Sequence, residues 1–163
     1  ALLTVSAFAT PAAVASSPLK EGDGIGKPAP AFEIPDTSGA KVSSAAILQQ
    51  GRAIVVNFWG LRCSACIEEL PHLGNLQSKY REKVDVLAVN VDGLDGEALK
   101  AQIAKKKLDM RFTVVPDPDF KLVDSFRMLA APLTVVIDAA GVVRYRHENY
   151  APGDEVALEE AVR

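Results

Sequence analysis

Three stretches of this chain are almost free of polar positions: residues 53–58 (Ala-Ile-Val-Val-Asn-Phe), 84–91 and 133–137. Each has the length of a strand, and near-continuous apolar runs of that length mark strands covered on both faces, as parallel or central strands are. Between them the period changes to a helical one, over residues 64–82, 96–107 and 119–128. The first of these holds Pro71, which removes one helical hydrogen bond and predicts a kink. The last opens on Asp117-Pro118, an N-cap residue followed by proline at the first helical position. Upstream, Phe32-Glu-Ile34 and Ala40-Lys-Val42 flank the turn cluster Asp36-Thr-Ser-Gly39 and predict a small hairpin. Ser43 or Ser44 would cap a short helix through Gln49, with Gly51 as its stop. Downstream, residues 141–150 read as a strand paired to 133–137 across Asp138-Ala-Ala-Gly141, and residues 154–163 as a closing helix. Strands alternating with helices, then a hairpin and a helix, predict a mixed α/β sheet with helices on both faces.

The amino end breaks from this pattern. Residues 1–9 are apolar and uncharged, and small residues follow them to Ala13-Val-Ala15. That is the apolar region and small-x-small site of a secretory signal, and it is too short on its own to span a bilayer. Residues 1–15 are therefore expected to be a signal-peptide remnant or membrane anchor, residues 16–24 a Ser/Pro/Gly-rich linker, and residues 25–163 the folded domain. Export places that domain in a periplasm, or tethered to the membrane facing it. The chain has 163 residues, one domain's worth. Its net charge of −3 comes without long charged runs, and Lys105-Lys-Lys107 reads as a solvated helix end, so nucleic acid is not an expected partner.

Both cysteines of the chain fall in Cys63-Ser64-Ala65-Cys66, between the first apolar run and the helix after it. Two thiols two residues apart can close a disulfide ring at little entropic cost. A helix N-terminus presents unpaired N–H groups and partial positive charge, which favour a thiolate there. Reversible dithiol–disulfide exchange is the chemistry this arrangement favours. Cys63, nearer solvent, is the expected nucleophile, and Cys66, one turn on and more buried, the residue that resolves the mixed disulfide. A zinc site would need two more Cys or His ligands at matching spacing, and the chain has only His72 and His147. A purely structural disulfide would constrain the unfolded chain very little across a two-residue loop. No metal is expected, and no cofactor beyond the redox-active disulfide.

Five separated elements, Gly26-Lys-Pro-Ala-Pro30, Asn57-Phe-Trp59, Cys63-x-x-Cys66 with Glu69-x-Pro71, Pro132-x-Thr134 and Ile137-Asp138, fall in the order found in TlpA/ResA-type proteins, which the chain from residue 25 on resembles. The resemblance implies an exported thiol–disulfide oxidoreductase. It also implies a thioredoxin-like three-layer α/β/α sandwich with an N-terminal β-hairpin and a central strand–helix insertion near residues 84–107. It makes Pro132 a cis proline, turning the backbone so that Ala131 can pair with an extended peptide. It gives Glu69, on the same helix face as Cys66, the role of exchanging protons with the buried thiol. A carboxyl in apolar surroundings keeps its proton to higher pH, which suits that work. Asn57 takes the place of thioredoxin's buried aspartate, which leaves Glu69 as the acid. Arg62 stands where thioredoxins carry tryptophan; as a cation it would favour the Cys63 thiolate and attract acidic partners, or simply be an exposed arginine. Ser64-Ala65 lacks the family's usual proline. Trp59 and Phe58 are expected to pack under the motif, and His72 and His147 to be ordinary surface residues.

The function implied is that of a disulfide reductase, with protein disulfides such as those of apocytochrome c as substrates, a membrane thiol as electron donor, and a monomeric state. Two other classes compete. A peroxiredoxin-type peroxidase shares the fold but places threonine three residues before its reactive cysteine, where this chain has Gly60. A copper-handling protein would use Cys63 and Cys66 as soft ligands, although three residues between cysteines is its usual spacing.

Overall fold

Asp36 makes the turn of an amino-terminal hairpin: its Oδ1 accepts from the N–H groups of Ser38 and Ala40. It joins β1 (Glu33–Pro35) to β2 (Lys41–Ser43), paired antiparallel with Ile34 opposite Val42. Ser43 caps α1 (Ser44–Gln49), its hydroxyl accepting from the Ala46 N–H. The computed structural model describes residues 24–163, and it continues through β3 (Ala53–Trp59), α2 (Ser64–Tyr80), β4 (Val84–Asn90) and α3 (Gly96–Lys106). β5 (Thr113–Pro116), α4 (Lys121–Ser125), β6 (Leu133–Ile137), β7 (Val143–Glu148) and α5 (Asp154–Val162) complete it. The readings of residues 1–15 and 16–23 as leader and linker lie outside the described residues.

The five longer strands form one sheet in the order β5-β4-β3-β6-β7. β3, β4 and β5 run parallel, β6 is antiparallel to β3, and β7 is antiparallel to β6. Alternation along each strand divides the interior in two. Val55, Trp59, Val86, Ala88 and Val136 face one core with Leu70, Leu73 and Leu76 of α2, Leu99 of α3 and Leu158 of α5. Ile54, Val56, Phe58, Val89, Val135 and Ile137 face the other, covered by α4 through Leu122 and by Phe32, Ile34, Val42 and Ile47 of the hairpin and α1. This is the expected three-layer, thioredoxin-like sandwich, with the hairpin at its amino end and β4–α3 as the inserted unit.

The amino-terminal stretch also binds both edges of the sheet. Gly26 N–H and Lys27 C=O pair with Val143, and Ala29 N–H with Gly141 C=O, beside β7. At the far edge Thr37 N–H donates to Val114 C=O of β5.

Three local expectations differ from the structure. β5 is an additional strand: four residues ending in proline give too short a run to stand out, and proline is tolerated there because β5 lies at the edge. The helix expected over 119–128 is only Lys121–Ser125, and Asp117 is not its N-cap. Asp117 instead sits buried ahead of the turn, and its Oδ2 accepts from the Leu122 and Val123 N–H groups at 3.0 Å each, capping α4 from outside. The last strand begins at Val143, because Asp138 draws residues 140–142 into a turn by accepting their N–H groups at Ala140 and Val142. Pro71 lies inside α2, which runs on through it to Tyr80.

Candidate active site

β3 and β4 end side by side, and their ends shape the loop that carries the cysteines. Asp92, just past β4, accepts through Oδ2 from the Leu61 N–H at 2.8 Å and from Asn90 Nδ2 at 2.6 Å. Val91 N–H donates to Trp59 C=O, and Cys63 N–H to Gly60 C=O, so Gly60–Cys63 forms a closed turn tied to β4. A Cβ at Gly60 would stand 3.6 Å from Asp92 Oδ1 and 3.9 Å from Cys63 Cβ, so Gly60 is bordered by both the Asp92 carboxylate and Cys63. Cys63 is the N-cap of α2, its sulfur accepting from the Cys66 N–H at 3.1 Å. The two cysteines are joined as a disulfide. Cys63 is partly exposed and Cys66 fully buried. Arg62 is exposed beside Cys63.

One turn beyond Cys66, Glu69 enters the interior with only 5% of its surface exposed, while Glu68 remains in solvent. Asn57 of β3 and Thr134 of β6 are cross-strand partners on the same sheet face. Asn57 Nδ2 donates to Glu69 Oε2 at 2.9 Å and to Thr134 Oγ1 at 2.9 Å, and Thr134 Oγ1 donates to Glu69 Oε1 at 2.8 Å. Burial pushes the Glu69 carboxyl above its ordinary 4.5, and the hydrogen bonds from Thr134 and Asn57 pull against that rise without cancelling it. Each carboxylate oxygen thus accepts one bond, while Asn57 Oδ1 is buried with no hydrogen-bond partner among the described residues. The expectation of apolar surroundings is thus only half met: the acid is dry but hydrogen-bonded.

The Ala131–Pro132 peptide bond is cis, with Ala131 partly exposed and Pro132 buried. The β3–β6 register pairs Phe58 with Leu133, so one step further puts Pro132 opposite Trp59, at the mouth of the cysteine loop. Trp59 and Phe58 are both fully buried, but only Trp59 packs under the motif as expected, in the core that holds Cys66; Phe58 faces the opposite core, its ring 5.4 Å from that of Phe126.

His72 and His147 are half-buried rather than fully solvated. His147 is the cross-strand partner of Thr134, and its Nε2 lies 3.1 Å from Asp154 Oδ2. Asp92 and His147 escape a reading of the sequence, since each stands in a polar stretch with no motif around it. Asn57 and Thr134 do leave a trace, as the polar interruptions of two otherwise apolar strands that share a sheet face. Among the described residues no helix is long and apolar enough to cross a membrane.

Such a site holds two sulfurs, one reachable and one buried, beside a buried carboxyl with raised proton affinity, and it can exchange a disulfide and move a proton. The AhpC/TSA family profile matches residues 25–146. The thiol-disulfide oxidoreductase ResA of Bacillus cereus is 31% identical over 125 residues, which span 76% of this chain and 69% of that protein. Among solved structures, one assigned as the thiol:disulfide interchange protein DsbE of Chlorobium tepidum superposes with a TM-score of 0.75 at 29% identity, over 85% of this chain and 94% of that one. A secreted disulfide oxidoreductase of Mycobacterium tuberculosis, homologous to DsbE of E. coli, shares the fold with a TM-score of 0.65 at 24% identity, over 80% and 93% of the two chains.

Proposed function

Because this chain belongs to the AhpC/TSA family and is a thiol–disulfide oxidoreductase of the ResA/DsbE type, we propose that it acts outside the cytoplasm as a disulfide reductase. The observation that carries this reading is the buried Glu69, held by Asn57 and Thr134 one turn beyond the buried Cys66. In the reduced protein Cys63 attacks a partner disulfide as thiolate, forming a mixed disulfide and releasing one partner sulfur. Cys66 gives its proton to the Glu69 carboxylate and attacks the Cys63 sulfur. The second partner thiolate leaves, and two electrons have passed from the Cys63–Cys66 dithiol to the partner. Protonated Glu69 then returns its proton when the pair is reduced again by a membrane thiol donor.

Ala131 and Pro132 would receive the extended partner segment, and Arg62 would contact it from beside Cys63. Apocytochrome c, whose own paired cysteines must be reduced before haem attachment, is the substrate class that the family likeness favours, with the protein working as a monomer. Residues 1–15 would serve as signal or tether, in keeping with a secreted neighbour of the same fold. Peroxidase chemistry is disfavoured by Gly60, which offers no hydroxyl to orient a peroxide beside Cys63.

Equilibration of the Cys63–Cys66 couple with glutathione tests the reading. A potential nearer thioredoxin's value of about −270 mV than the roughly −120 mV of DsbA is expected, and one near the DsbA end overturns it. Trapping with Cys66→Ala in intact cells identifies the partners as stable mixed disulfides.

A further inference from the structure

Glu69 is surrounded by more than its two hydrogen-bond partners. Thr134 and His147 are directly opposite in the antiparallel β6–β7 pair, so their side chains leave the same face with Cβ atoms about 5 Å apart. Thr134 Oγ1 is bonded to Glu69 Oε1, so His147 is the cross-strand neighbour of the residue that holds the carboxylate. On its other side His147 Nε2 meets Asp154 Oδ2 at 3.1 Å. That carboxylate is fixed at the start of α5, accepting the Ala151 N–H at 2.8 Å. Tyr145 shares the face, its ring 6.1 Å from that of His147. Tyr150 follows, donating to Glu155 at 3.0 Å, with its ring 5.9 Å from that of His72.

The titratable groups around His147 are therefore Glu69 and His72 from α2, Tyr145 from β7, Tyr150 from the connection, and Asp154 and Glu155 from α5. Apart from the two histidines, every member is acidic or phenolic. The side chain of His147 is 43% exposed, whereas the Glu69 carboxyl across Thr134 is nearly sealed.

We propose that His147 and Asp154 form a positioning pair for Glu69: protonated His147 favours the Glu69 carboxylate, Asp154 opposes it while holding the imidazole, and together they set the pH range over which Glu69 exchanges the Cys66 proton. This rests on the reading of Glu69 as the proton acceptor of the site. The two partners act on Glu69 with opposite signs, His147 lowering its proton affinity and Asp154 raising it. Tyr145 and Tyr150 are both pushed up to about 12, first by burial, with Asp154 and Glu69 adding to it at Tyr145 and Glu155, ahead of those two, at Tyr150. A histidine changes charge between about pH 5 and 8, so support for the carboxylate fades as the pH rises.

The test follows the Glu69 carboxyl by carbon NMR in the oxidised protein, where neither cysteine titrates, with Glu69→Gln assigning the signal. His147→Gln is expected to raise the Glu69 midpoint. His147→Lys, a cation at every pH used, is expected to lower it, and Asp154→Asn added to His147→Gln to bring it back down. Should glutamine at 147 not be tolerated, lysine against wild type carries the same test. A midpoint unmoved in all three, or moved the same way by glutamine and lysine, overturns the proposal. The pH–rate profile of disulfide reduction should follow the midpoint; a profile that stays put while the midpoint moves also overturns it. A failure of Glu69 itself as proton acceptor appears instead as unchanged turnover in Glu69→Gln, a separate reading.

Discussion

Replacing Glu69 by glutamine removes one proton site and almost no volume, and its consequences can be worked out from the trio it belongs to. Thr134 can still donate to the side-chain oxygen, but Asn57 Nδ2 would then face an NH2 group. The conflict is relieved if the Asn57 amide turns over, offering Oδ1, which has no partner among the described residues, to the new donor. The bond from Asn57 Nδ2 to Thr134 is given up in exchange, a net loss of about one neutral hydrogen bond, or about 1 kcal/mol. Against this stands the raised proton affinity of Glu69, which makes ionisation harder in the folded protein, by about 1.4 kcal/mol for every tenfold gain in that affinity. By linkage, both states hold the proton below the unfolded value and the wild type has its full stability, which is lost as pH rises through the folded value. The variant loses nothing over that range. It should be less stable than wild type by about 1 kcal/mol near pH 4, with a smaller deficit at pH 8. Urea denaturation of the oxidised proteins at the two pH values measures this. Turnover should also fall, by on the order of 10²-fold, the low end for a lost general acid–base, because water can carry some of the proton traffic. Glu68→Gln, exposed on the neighbouring face, is the control. A stability difference independent of pH, together with a wild-type pH–rate profile, would refute the assignment and leave proton transfer to water.

Two further outcomes follow from the loop and the helix mouth. In the reduced protein iodoacetamide should modify Cys63 much faster than Cys66, because only Cys63 is reachable at the helix start; comparable rates would place the helix boundary elsewhere. Asp92→Ala removes an anion bordering the Gly60–Cys63 turn together with the acceptor of the Leu61 N–H, so the Cys63 thiolate should form at lower pH while the loop loosens. Thiol titration by thiolate absorbance in the ultraviolet checks the first effect and amide exchange at Leu61 the second, and no change in either would mean that Asp92 is an ordinary surface acid.

Legibility along this chain tracks how many residues an element commits to one environment. β3, β4 and β6 are buried on both faces, and their near-continuous apolar runs announce them. β5 commits only Thr113 to Pro116, and the proline that fits an edge also disguises it as a turn. At α4 the local sequence is misleading: Asp117-Pro118 looks like a helix start, yet the chain first passes through Phe120 at φ 57° before the helix begins. At the site, Cys63, Cys66, Glu69 and Pro132 lie within recognisable local patterns. Asp92 and His147 reach the same place only because strands adjacent in the sheet are distant in the chain. β7 reads Val-Arg-Tyr-Arg-His-Glu, and nothing in that alternation says that Tyr145 and His147 face a buried acid rather than water.

The strap formed by residues 26–37 has a mechanical consequence. It is anchored beside β7 through Gly26, Lys27 and Ala29, crosses the sheet over the core that contains Phe32 and Ile34, and is pinned again at β5 by Thr37. All of this lies on the side of the sheet away from α2, Cys66 and Glu69. Tension applied through the amino end would be taken up first by three backbone bonds at Val143 and Gly141. They would peel in turn, with the redox helix shielded behind the full thickness of the sheet. A domain hung from a surface by that end could swing toward large partners and be jostled by them while the spacing of its two sulfurs stayed the same.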